Sequence, residues 1–196
     1  PADLYDLKWH DGSNLSLADM VLTLILAFDR GMEGSAIYDE AQVPALEAFK
    51  ESFRGIRIVQ TNPLVVETYS DTYTLDAEQN VAGLFPSYLR GPGAWHNLGI
   101  GMLAEANKEL AFSPDKADAL KVEWMNYIAG PSLEILNKYL TQASAESYIP
   151  YAPTLGEYIT AEEAQARWSN LQQWYADRGH FWLGTGEFYL AAAFPV

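Results

Sequence analysis

The chain has 196 residues, enough for one domain with a substantial core. Its 49% hydrophobic and 19% charged content is that of a folded protein rather than a disordered one. With 26 acidic against 12 basic residues the net charge is −14, and no Lys/Arg cluster exists to neutralise phosphates, so nucleic acid is excluded as a partner and anionic membrane surfaces are disfavoured. The absence of cysteine removes disulfides, thiolate catalysis and cysteine metal sites.

Residues 4 to 10 read as a short edge strand, followed by a turn at Asp11-Gly12-Ser13-Asn14. Ser16 caps a helix, with Asp19 placed to reach back to the cap. Leu17, Met20, Val21, Leu24, Ile25 and Phe28 mark one face of it, and Leu22 and Leu26 fill the other. A helix apolar all round is expected at the centre of the core. Tyr38 to Phe53 is helical with a kink or restart at Pro44. Phe53–Thr61 and Leu64–Tyr73, rich in β-branched and aromatic residues, form a hairpin turning at Asn62-Pro63.

Residues 76–93 are irregular, and a subdomain boundary is placed there within one domain spanning 1–196. Trp95 to Leu110 is helical, with Leu98, Met102, Ala106 and Leu110 as its stripe. Gly99-Ile100-Gly101 inside it marks a close helix–helix contact rather than a phosphate cradle. Ser113-Pro114 and Gly130-Pro131-Ser132 open two further helices. Tyr148 to Tyr158 is a loop with two prolines. Thr160-Ala161-Glu162-Glu163 is a capping box that opens a helix to Arg178, with Ala164, Trp168, Leu171 and Tyr175 facing inward. Phe181 to Phe194 returns to strand. The fold class is α+β: a helix-rich domain with a β-hairpin and short terminal strands.

Catalytic signatures are missing. There is no His-Glu-x-x-His, no Gly-x-Ser-x-Gly and no P-loop. His10, His96 and His180 share no helical spacing, so neither a metal site, a cofactor nor a catalytic residue is assigned. Among the 6 tryptophans, Trp168 lies on a buried stripe, whereas Trp9, Trp95 and Trp182 sit near element ends, where binding residues concentrate. Those three, with Tyr189, are the candidate ligand-contact residues, and a purely structural place for each is the alternative.

The terminal segment Gly184-Thr185-Gly186-Glu187-Phe188-Tyr189-Leu190 resembles the Gly-Thr-Gly-Pro-aromatic segment of family 5 extracytoplasmic solute-binding proteins of ABC importers, with Glu187 in place of the proline. Lys8-Trp9-His10-Asp11-Gly12 and Leu15-Ser16-Leu17-Ala18-Asp19-Met20-Val21 are similar to that family's opening motif. Phe53-Arg54-Gly55-Ile56-Arg57-Ile58-Val59 and Pro63-Leu64-Val65-Val66-Glu67 resemble its middle hairpin. The matches run in order from residue 8 to residue 190.

The resemblance implies part of a two-lobe, periplasmic-binding-protein-like fold. It implies capture of a peptide, dipeptide or nickel-type solute without chemistry, and delivery to an ABC transporter permease. It implies an extracytoplasmic location, with membrane attachment only through an anchor outside this chain. Pro1-Ala2-Asp3 carries neither initiator Met nor leader, and the longest apolar run, Met20 to Phe28, is too short to span a membrane. The expectation is therefore a first-lobe piece of a longer protein. The rival readings are a carbohydrate hydrolase using paired carboxylates and a helical protein-interaction domain.

Overall fold

A computed structural model describes residues 4–76, 78 and 93–194. In chain order these form α1 (Leu17–Asp29), α2 (Val43–Ser52), β1 (Phe53–Thr61), β2 (Leu64–Ser70), α3 (Trp95–Ala106), β3 (Leu110–Ala111), α4 (Pro114–Leu120), β4 (Glu123–Trp124), α5 (Ser132–Glu146), α6 (Ala152–Leu155) and α7 (Ala161–Arg178). The architecture is mixed α+β with helix in excess. The expected boundary at 76–93 lies almost wholly outside the described residues.

The helix at the centre is α3, not α1. Ten of the residues of α3 are buried, including Trp95, His96, Asn97, Leu98, Ile100 and Glu105. It contacts α1, α5 and α7, and β3 follows it directly. α1 buries Leu17, Ala18, Val21, Leu22 and Leu26 but leaves Leu24, Ile25 and Phe28 half-exposed. Phe28 there packs on Phe49 and Phe53, which form a satellite cluster with α2 and the start of the hairpin. Apolar content on both faces thus marks a helix between two apolar neighbours rather than the deepest one. α3 earns its place through glycine. An added Cβ at Gly101 would lie 2.2 Å from the Tyr127 hydroxyl, and one at Gly99 would lie 3.2 Å from Pro150. These close approaches are partly to loop side chains, and only Trp168 on α7 makes the Gly99 contact helix to helix.

Local signals place the other elements. Ser16 and Asp19 form a capping box at α1, and Thr160 and Glu163 form another at α7. Pro44 falls in the first turn of α2, after a 3-10 turn at Glu40–Gln42, so the chain restarts there. β1 and β2 pair antiparallel, with Arg57 opposite Glu67, and Ile58 and Leu64 lean on the core. β3 and β4 form a short parallel pair.

Two expected strands are absent. Residues 4–6 form a 3-10 turn, and only Lys8 bridges to Asn14. Residues 181–194 have no strand either. Backbone groups near both ends bond partly to one another across turns and partly to histidine side chains, rather than in a ladder, as described next.

Candidate functional site

The N-terminal turn, α3 and α7 meet at one buried polar hub. Capping of α1 turns Asp19 inward, and its carboxylate is 3% exposed. It accepts from Arg167 twice, Nη1 at 2.7 Å and Nη2 at 2.9 Å. It also accepts from the Trp95 amide at 2.8 Å, the Ser16 amide at 2.8 Å and the Trp9 indole at 3.2 Å. With Ser16 Oγ at 3.4 Å, six donor atoms surround this one buried carboxylate and satisfy its charge. Arg167 also donates to the Asn14 carbonyl and to Ser16 Oγ, and lies over the Trp95 ring.

Beside this pair, Asp11 and His96 have wholly buried side chains with His96 Nε2 2.7 Å from the carboxylate. Arg167 Nη1 lies 3.2 Å from His96 Nδ1. A guanidinium can only donate, so Nδ1 accepts and Nε2–H donates to Asp11. Burial alone would raise the Asp11 carboxyl, but the hydrogen bonds from His96 and from the Ser13 amide outweigh it and hold the carboxyl below its ordinary value of 3.8. Its ionised form is thus the one the fold stabilises. That contribution is complete above about pH 4 and is lost as pH falls through the lower folded value. Asp11→Asn is expected to be about 1–3 kcal/mol less stable near pH 6, with the gap closing in acid. Urea denaturation of both proteins at a series of pH values checks it.

The two ends of the chain interlock one residue away. The His10 amide donates to the Gly184 carbonyl at 2.9 Å, and the Gly184 amide donates to His10 Nδ1 at 3.1 Å. Nε2–H of His10 then donates to the Gly186 carbonyl at 2.9 Å. His180 repeats the device, with Trp182 N–H on Nδ1 at 3.1 Å and Leu190 O on Nε2 at 2.9 Å. An added Cβ at Gly184 would lie 3.0 Å from the His10 ring, so a side chain there would push the ring back by a few tenths of an ångström. His10 also stacks on Trp174 and meets the edge of Tyr189. Arg178 lies over the Trp174 and Tyr189 rings.

The four candidate residues fall into two settings. Trp9 is half-buried and Trp95 fully buried, and both bond Asp19. Trp182 is 39% and Tyr189 49% exposed beside the interlock. Neither of the two clefts described below is lined by any of the four. A cleft of about 450 Å³ lies over Arg167 instead, lined by Ser13, Asn14, Ser16, Glu163 and Asn170. Sequence reasoning missed Asp11, Asp19 and Arg167 as a unit. Asp19 was legible as a cap, but its pairing with a residue 148 positions away was not. Among the described residues, no cluster of three or more His, Asp or Glu is arranged to hold a metal ion. No helix there is long and apolar enough to cross a membrane.

No family model matches the chain, and no curated protein is significantly similar to it.

Proposed function

We propose that the chain forms part of the solute-holding lobe of an extracytoplasmic solute-binding protein, which captures a peptide or related solute for an ABC importer permease and leaves it chemically unchanged. One observation supports this most. The two segments that resemble the family's opening and Gly-Thr-Gly motifs, 174 residues apart, are bound to each other through His10. Motifs at opposite ends of a sequence that meet in space are expected of a shared functional surface. Trp182 and Tyr189 offer partly exposed aromatic surface beside this junction for contact with a solute. Trp9 and Trp95 act from behind, through the Asp19 hub. A second lobe closing over this surface would bury the solute by hinge motion.

The hydrolase alternative asks for one carboxyl held high as a general acid. The shifted carboxyls Asp11 and Glu109 both move the other way, Glu109 through its hydrogen bond from Lys138. The test uses the protein encoded by the complete natural reading frame, screened by thermal shift against short peptides, sugars and nickel chelates. One class should raise the melting temperature, because a ligand that binds only the folded state stabilises it. Mass spectrometry should recover that ligand intact. No shift with any class, or a cleaved ligand, overturns the proposal.

A further inference from the structure

α1 ends on Asp29, which places a carboxylate at the negative pole of a 13-residue helix. The last turn of α1 contains no basic residue. Arg30, the next residue, turns inward to Asp39 at 2.8 Å. Among the described residues, no cation pairs with Asp29. Its Oδ2 accepts from Ser35 Oγ at 2.6 Å and from the Tyr151 hydroxyl. These donors orient the carboxylate without neutralising it, and its Oδ1 takes no hydrogen bond from the described residues.

Beside Asp29 lies a cavity of about 400 Å³. Its walls include Ile37, Met102, Leu103, Tyr148 and Tyr151. Tyr151 reaches it from a left-handed backbone, φ 46°, a conformation unusual for a bulky side chain. Burial, and then the Asp29 charge, push the Tyr151 phenol up, so it remains a proton donor. Burial pushes the Tyr148 phenol up as well, so neither tyrosine adds negative charge, and aromatic side chains in the wall suit a cation better than an anion.

We infer that this cavity binds a small organic ammonium ion, its nitrogen on Asp29 and its apolar body against Tyr148, Tyr151, Met102 and Leu103. The chemistry selects that class. An anion would face a carboxylate and a helix C-terminus. A neutral guest would forgo the attraction of the carboxylate. A divalent metal needs more oxygen ligands than one carboxylate supplies. The volume matches a small ligand, and the net charge of −14 raises the local concentration of cations. The site is separate from the proposed solute surface, since neither Trp182 nor Tyr189 lines it.

The probe is n-butylammonium, with n-butanol as its uncharged counterpart, titrated into the chain and followed by amide chemical shifts. Saturable shifts at millimolar butylammonium, confined to residues 29–37, 102–106 and 148–151, are expected. Butanol should bind about tenfold more weakly. Asp29→Asn, which keeps an acceptor for Ser35 and Tyr151, should lower butylammonium affinity to the butanol level. Tyr148→Leu, which keeps the carboxylate, should weaken it about threefold. Equal affinity for the two probes, shifts centred elsewhere, or undiminished binding to the Asp29→Asn protein overturns the inference. If that variant does not fold, the probe comparison and the shift map on the unaltered chain decide it.

Discussion

Replacing Arg167 by methionine should lower the free energy of unfolding by about 3–5 kcal/mol. The guanidinium is the sole cationic partner of Asp19 among the described residues, and both side chains are under a tenth exposed. Removing it leaves a buried carboxylate with four neutral donors and strips one bond from His96. Methionine fills most of the volume, so the loss reports charge rather than cavity. A compensating Asp19→Leu should restore little, because the Trp95 and Ser16 amides and the Trp9 indole would then lose their acceptor. The contrast is Arg54→Met. Arg54 and Asp71 are 48% and 63% exposed, and breaking such a pair changes stability by less than about 1 kcal/mol. Urea denaturation separates the two. A loss below about 1 kcal/mol for Arg167→Met would show that the hub is solvated rather than dry.

Trp168→Ala should destabilise by a similar amount, about 3–5 kcal/mol, for a different reason. The indole is fully buried and sits edge-on to Trp95 at 5.3 Å. It also donates to the Tyr148 carbonyl at 3.0 Å. Truncation leaves a void between α3 and α7 and an unpaired carbonyl. Trp168→Phe keeps most of the contact area and should lose only about 1–2 kcal/mol. Trp124, 58% exposed with a bond to the Phe112 carbonyl, should lose about 1 kcal/mol on truncation to alanine. Melting curves of the three variants give the order. Equal losses for Trp168→Ala and Trp124→Ala would contradict the packing described.

Elements governed by local chemistry were legible in the sequence. Ser16 with Asp19, and Thr160 with Glu163, announced α1 and α7 because a cap needs only residues three apart. The β-hairpin followed from its β-branched runs around Asn62-Pro63. Three features depend on distant partners and were not legible. The central place of α3 comes from Gly101 meeting Tyr127 and Met125. The terminal aromatic run looked like a strand because its composition is that of one, yet His10 and His180 take the hydrogen bonds a ladder would have used. Arg167 sits on the inward side of a helix where periodicity expects an apolar residue, and nothing local reveals the acid it faces. Of the candidate site, Trp182 and Tyr189 are partly exposed, and Trp95 lies wholly inside, where no solute can reach its ring.

The hub also constrains how the polypeptide can be made. A ribosome releases the segment bearing Asp19 long before Arg167, 148 positions later, has been synthesised. Until then α1 carries a carboxylate whose native counter-ion does not exist, so burying it is unfavourable. The N-terminal third is therefore expected to stay solvated on the ribosome, and docking waits for α7. Closing so long a loop adds little entropy beyond a moderately long one, since the cost grows only with the logarithm of its length. Ordering is thus deferred to a late, concerted step rather than built up as the nascent chain emerges.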